Sequence, residues 1–203
     1  NKIMSVHKVN DLFSSQELKL LYILINSIVI PINDNGTYIY DTDNGQENCT
    51  ISKSLGRLQS SFKTPEELNK KLFNIAKNIS LKELSVSAMT YVEYNKNYGT
   101  PNLPPHFDGD LSEVIINYQL SSNTSWDIGL DTKIYKIEDN SALVFNPNKN
   151  IHWRPHKTFN ENEYVKMIFF RLCSKENIID NSNLRYSLDD DIYKKANELR
   201  DSI

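Results

Sequence analysis

The chain lacks the residues that announce several common protein classes. Its 203 residues hold two cysteines, Cys49 and Cys173, far apart and in no C-x-x-C pair, so no thiolate metal or redox motif is present. That scarcity points to a reducing, cytoplasmic setting. Positive charge is not in excess: 23 Lys and Arg against 26 Asp and Glu leave a net charge of -3, which argues against a general nucleic-acid binder. No long hydrophobic run exists. The best stretch, Leu18 to Ile30, is interrupted by Lys19, Asn26 and Ser27 and stops at Pro31; it is too short for a bilayer and reads as a buried helix, so no membrane partner is expected. There is no internal repeat, no low-complexity linker, and nothing near Asn1 that reads as a signal peptide. Histidine is scarce too, with four in all: His7, His106, His152 and His156.

What is there is ordinary for a globular protein, with 39% hydrophobic and 24% charged residues. The length predicts one domain over 1–203 with a sizeable core. The N-terminal part, 1–80, reads as mainly helical. Ser14 or Ser15 caps a helix through Glu17, Leu21, Leu24 and Ile28. Asn33-Asp34-Asn35-Gly36 and Asp43-Asn44-Gly45 bracket Thr37 to Tyr40 as a hairpin. Thr64-Pro65-Glu66-Glu67 reads as a capped helix start, with Leu68, Leu72, Ile75 and Ala76 forming an apolar stripe behind it. From 81 to 173 the texture is of strands, expected at 83–94, 113–121, 125–130, 133–137, 142–146, 150–154 and 163–173. Ser187-Leu188-Asp189-Asp190 opens a C-terminal helix within 174–203, with Leu188, Ile192, Leu199 and Ile203 on one face. The fold class is α+β: a jelly-roll core with flanking helices packed outside it.

Chemistry is concentrated in Pro105-His106-Phe107-Asp108, followed much later by His152. Strand side chains repeat every two residues, so a His and a carboxylate two apart point to one side of a sheet. A second imidazole from a distant strand would complete three ligands on one face of a metal. This 2-His-1-carboxylate facial triad leaves adjacent positions open and belongs to non-haem Fe(II) oxygenases. His106 follows a strand ending in Tyr94 and the Gly99–Pro105 loop, and Asp108 precedes the Val114–Leu120 strand. His152 follows the strand and turn Ala142–Pro147, and Lys166 lies on the last long strand.

In this order and spacing the stretch from Tyr91 to Leu172 resembles the Fe(II)/2-oxoglutarate-dependent dioxygenases, most nearly their prolyl-hydroxylase-like branch. The resemblance implies a double-stranded β-helix (cupin-like jelly roll) with Fe(II) held by His106, Asp108 and His152. It implies that Lys166 pairs with the distal carboxylate of the cosubstrate 2-oxoglutarate, that Tyr94 and Asn117 make further cosubstrate contacts, and that no catalytic residue is needed beyond the metal ligands. The implied reaction is hydroxylation of a small-molecule or peptidyl substrate by molecular oxygen, with release of succinate and CO2. Asp108 stands where halogenating members have Ala or Gly, which favours hydroxylation.

Alternatives accompany several of these assignments. His156 competes with His152, although Pro155 breaks the strand between them. Arg171 competes with Lys166; five apart on a strand, they face opposite sides, and the alternation Lys166, Ile168, Phe170 places Lys166 with the apolar, inward set. Arg154 shares a face with His152, with either a substrate or solvent before it. His7 reads as structural, and Trp126 and Trp153 as packing. Two other functions compete: a cupin-type metal enzyme of different chemistry, which typically uses more histidines, and a non-catalytic jelly-roll binding module in which His106 and Asp108 are loop scaffolding. No signature for the substrate is legible; a free amino acid, a small metabolite, a peptidyl side chain and a modified nucleobase all fit.

Overall fold

Two long strands buried on both faces set the architecture. A computed structural model describes residues 4–30, 45–176 and 190–203. Its strands, in chain order, are β1 (Val6–Val9), β2 (Gln46–Ser52), β3 (Arg57–Phe62), β4 (Leu84–Val86), β5 (Met89–Asn95), β6 (Ser112–Ser122), β7 (Ile128–Leu130), β8 (Lys133–Tyr135), β9 (Ser141–Phe145), β10 (His152–Trp153) and β11 (Tyr164–Ser174). Its helices are α1 (Ser15–Asn26), α2 (Glu66–Ala76) and α3 (Asp190–Asp201). The large antiparallel sheet runs β1-β9-β6-β11-β5-β3-β2, with β4 also pairing β11; a small sheet runs β10-β7-β8.

The period-2 alternation of strands sends side chains of β6 and β11 into two different cores. Val114, Ile116, Tyr118, Ile168, Phe170 and Leu172 meet Leu21, Ile25, Leu68, Leu72 and Ala76 of α1 and α2. On the opposite face Ile115, Val165 and Met167 join Val92, Tyr94, Phe145 and the small-sheet residues Ile128 and Leu130. The second face is the inside of the jelly roll. A third cluster seats Ala196 of α3 on Ile151 and Trp153, with Phe107 against it. Arg200 of α3 is buried, its Nε donating to the Arg154 carbonyl at 2.9 Å and Nη2 to Asn102 Oδ1 at 3.1 Å. The C-terminal helix thereby ties the loop before His106 to the segment after His152.

Several expectations are corrected. The N-terminal part is not mainly helical: it adds three strands to the large sheet, because β1 pairs β9 and β3 pairs β5, and neither partner is local in sequence. The expected strand 83–94 is two strands, broken where Ser87 gives both its N–H and its hydroxyl to the Arg171 carbonyl. Thr64 is not the cap of α2. Pro65 takes that position without a side-chain bond, and the Thr64 hydroxyl donates instead to the Ser87 carbonyl at 2.8 Å. The 33–44 hairpin residues and Ser187–Asp189 lie outside the described residues. Ser14 does cap α1, in a reciprocal box with Glu17. Ser14→Ala is expected to lower unfolding stability by about 1 kcal/mol, read from urea denaturation. Among the described residues no helix is long and apolar enough to cross a membrane.

Candidate metal centre

His106 and Asp108 do not lie on a strand. They belong to the loop after β5, and one isolated bridge holds them in place: His106 N–H donates to the His152 carbonyl at 3.1 Å and His152 N–H returns to the His106 carbonyl at 3.0 Å. Asp108 N–H donates to the Pro147 carbonyl at 3.1 Å, fixing the loop to the turn after β9. His152 starts β10, whose partner is β7; Trp153 beside it lies over Gly129, where a Cβ would stand 2.0 Å from a ring carbon. Glycine here is a packing requirement.

These anchors bring the three side chains together. One ligand atom each from His106, Asp108 and His152 lies within 4.8 Å of the others. His152 Nε2 is 2.9 Å, and His106 Nε2 3.6 Å, from Asp108 Oδ1. Each imidazole is oriented by its other nitrogen, His106 Nδ1 by the Pro104 carbonyl at 2.7 Å and His152 Nδ1 by the Asn150 carbonyl at 3.2 Å. A carbonyl only accepts, so both Nδ1 atoms carry hydrogen, and both Nε2 atoms face the carboxylate. Histidine ligands are commonly oriented this way. The donor set fits a divalent metal with one open face.

Asp108 is mostly buried, which pushes its carboxyl up; hydrogen bonds to His106 and His152 and the charges of His152 and Arg171 outweigh this and hold it well below the usual carboxylate range. It is ionised at neutral pH, as a ligand must be. Arg171 reaches Asp108 Oδ2 at 3.4 Å and Asp110 at 3.3 Å, so the carboxylate is braced from the side away from the histidines.

The triad opens into a cavity of about 270 Å³ between the two sheets. Tyr94, Asn117, Arg154 and Arg171 line it, as do Ile115, Ile128, Phe169 and Arg57. Tyr94 and Asn117 are thus beside the triad. Lys166 is not: its ammonium faces Glu93 at 3.6 Å, in a separate surface hollow. The alternation with Ile168 and Phe170 is as expected, but that face covers α1 and α2, and Arg171 enters the cavity in its place. An apolar set marks a buried face, and β11 has two of them. His156 lies outside the cluster, its Nε2 3.3 Å from Asp201 Oδ1. Arg57 was not legible in the sequence: the polar run Gln59-Ser60-Ser61 hides the strand that carries it, and its only signal is the alternation of Leu58, Ser60 and Phe62.

No protein-family model matches this chain, and no curated protein sequence matches it. Solved structures do. A prolyl hydroxylase from Trichoplax adhaerens, in complex with a hypoxia inducible factor oxygen degradation domain peptide, superposes with a TM-score of 0.55 at 12% identity, over 85% of this chain and 84% of that one. HygX from Streptomyces hygroscopicus, with nickel, 2-oxoglutarate and hygromycin B bound, gives 0.56 at 10% identity, over 84% and 83%. A viral collagen prolyl hydroxylase from Paramecium Bursaria Chlorella virus-1 gives 0.53 at 10%, over 84% and 91%. The fold is that of the 2-oxoglutarate- and iron-dependent oxygenases.

Proposed function

We propose that this chain is an Fe(II)- and 2-oxoglutarate-dependent oxygenase that hydroxylates a small-molecule or peptidyl substrate, with His106, Asp108 and His152 as its metal ligands. The observation that carries the reading is the convergence of those three side chains at one end of a cavity inside this fold. The metal, when bound, supplies oxygen activation coupled to oxidative decarboxylation of the 2-oxo acid. The chain's own residues hold and shape the site. Pro104 and Asn150 carbonyls fix both imidazoles with Nε2 inward, and Arg171 braces the other oxygen of Asp108. Ile115, Ile128 and Phe169 make an apolar wall that excludes bulk water.

Both substrate classes are kept because the similar solved structures include one with a peptide and one with hygromycin B. The test is incubation of the protein with Fe(II), 2-oxoglutarate and oxygen across a panel of small molecules and peptides, with succinate measured. Succinate above the metal-free control is expected, and more of it with a true substrate. If succinate never exceeds that control, with or without substrate, the reading fails in favour of a binding module or another metal chemistry.

A further inference from the structure

The cavity holds more positive charge than its own residues neutralise. Arg171 is accounted for by Asp108 and Asp110. Arg57 and Arg154 are not. Arg57 of β3 donates from Nη1 to the Tyr94 hydroxyl at 2.9 Å and from Nε to Gln59 Oε1 at 3.2 Å, and lies over the rings of Tyr94 and Phe169. Arg154, two residues past His152, is 5% exposed; its Nη1 donates to the carbonyls of Trp126 and Asp127, and its guanidinium lies over the Trp126 ring at 4.5 Å. Among the described residues neither guanidinium makes an ion pair with a carboxylate. Two like charges lining one small cavity, one of them buried, are unfavourable unless an anion joins them.

Asn117 is 8% exposed, lines the same cavity, and its Oδ1 has no hydrogen-bond partner. That acceptor calls for a donor, a water or a substrate N–H or O–H, and not for the carboxylate itself. Lys166, unlike Arg57 and Arg154, already has Glu93.

We infer that the distal carboxylate of the cosubstrate is held between Arg57 and Arg154, beside the Tyr94 hydroxyl, so that its anchors come from β3 and the end of β10 and not from β11. This rests on the oxygenase reading above. Guanidinium groups suit the task because each presents a planar fork of donors to a carboxylate. A 2-oxo acid without a second carboxylate would leave both charges uncompensated, which gives selectivity for the diacid.

The test is calorimetric titration of the Mn(II)-loaded protein with 2-oxoglutarate and with 2-oxobutyrate, which has the same 2-oxo acid head and no distal carboxylate. Arg57→Met is expected to weaken 2-oxoglutarate roughly 10- to 100-fold, the scale of one charge-assisted hydrogen bond, and to leave 2-oxobutyrate and Mn(II) binding unchanged. Arg154→Met should do the same where it folds; Arg57, only half-buried, keeps the test decisive where it does not. Lys166→Met should change nothing. If the preference for the diacid survives Arg57→Met, or collapses in Lys166→Met, the assignment is overturned while the oxygenase reading stands. If the wild-type Mn(II) protein binds neither acid, the oxygenase reading falls and the assignment with it.

Discussion

His152→Ala and Asp108→Ala are each expected to abolish tight divalent-metal binding and all metal-dependent turnover. Losing a group that merely supports a ligand typically costs 10- to 100-fold in metal affinity, so losing a ligand should exceed about 100-fold. The geometry gives no substitute. His156 is engaged with Asp201 outside the cluster, and Asp110 is turned to Arg171. His106→Ala should follow the same pattern, although that imidazole is the most open of the three, at 40% side-chain exposure. A stability readout separates loss of metal from loss of fold. A metal at about 1,000 times its Kd stabilises the native state by about 4 kcal/mol. Mn(II) should therefore raise the unfolding temperature of the wild type and leave that of each of the three variants at its own metal-free value. A variant that retains the Mn(II)-dependent rise, as the wild type does, would remove its residue from the ligand set.

Gly129→Ala should be the most destabilising single-methyl change in the small sheet. The added Cβ would stand 2.0 Å from Cε2 and 2.2 Å from Cδ2 of the Trp153 indole. That ring is 1% exposed, its Nε1 donates to the Asp131 carbonyl at 3.1 Å, and α3 covers it through Ala196. Neither the ring nor the strand has room to retreat, so overpacking at the upper end of its usual range, about 3 kcal/mol, is expected. For a chain of this length that is a fall in Tm of roughly 6–12 °C. The damage should also reach the metal, because His152 and Trp153 are consecutive on β10: Mn(II) affinity should weaken although residue 129 donates no ligand. Thermal melts and a metal titration on the same preparation check both parts. Unchanged stability would mean that Trp153 is not locked over β7.

The two variants probe different levels at which the sequence speaks. The identity of the metal ligands was legible because it depends on residue type and order: a His and an Asp two apart, then a distant His, is a set of lone-pair donors wherever the backbone carries them. The reason given for their convergence was incomplete. Strand alternation was expected to align His106 with Asp108, whereas a loop does so, held by the His106–His152 bridge and the Asp108–Pro147 bond. Most strands between 81 and 173 were legible from Val, Ile and aromatic alternation. Strands β1, β2 and β3 were not: β1 and β3 join the sheet through β9 and β5, which lie far along the chain, β2 pairs with the adjacent β3, and a polar segment such as Arg57–Phe62 becomes a strand only when an existing sheet edge receives it.

By itself, then, the sequence determined which residues carry the chemistry and which neighbours share a face, since both follow from side-chain type and the two-residue repeat. Only the tertiary structure decided which face of β11 looks into the cavity. Alternation fixes the relative orientation of Lys166 and Arg171 but not its sign, and on a strand sandwiched between two apolar cores, hydrophobicity marks both faces alike. The same holds for Arg57: its charge is written in the chain, but its place beside Tyr94 comes from a pairing between strands that no local preference encodes.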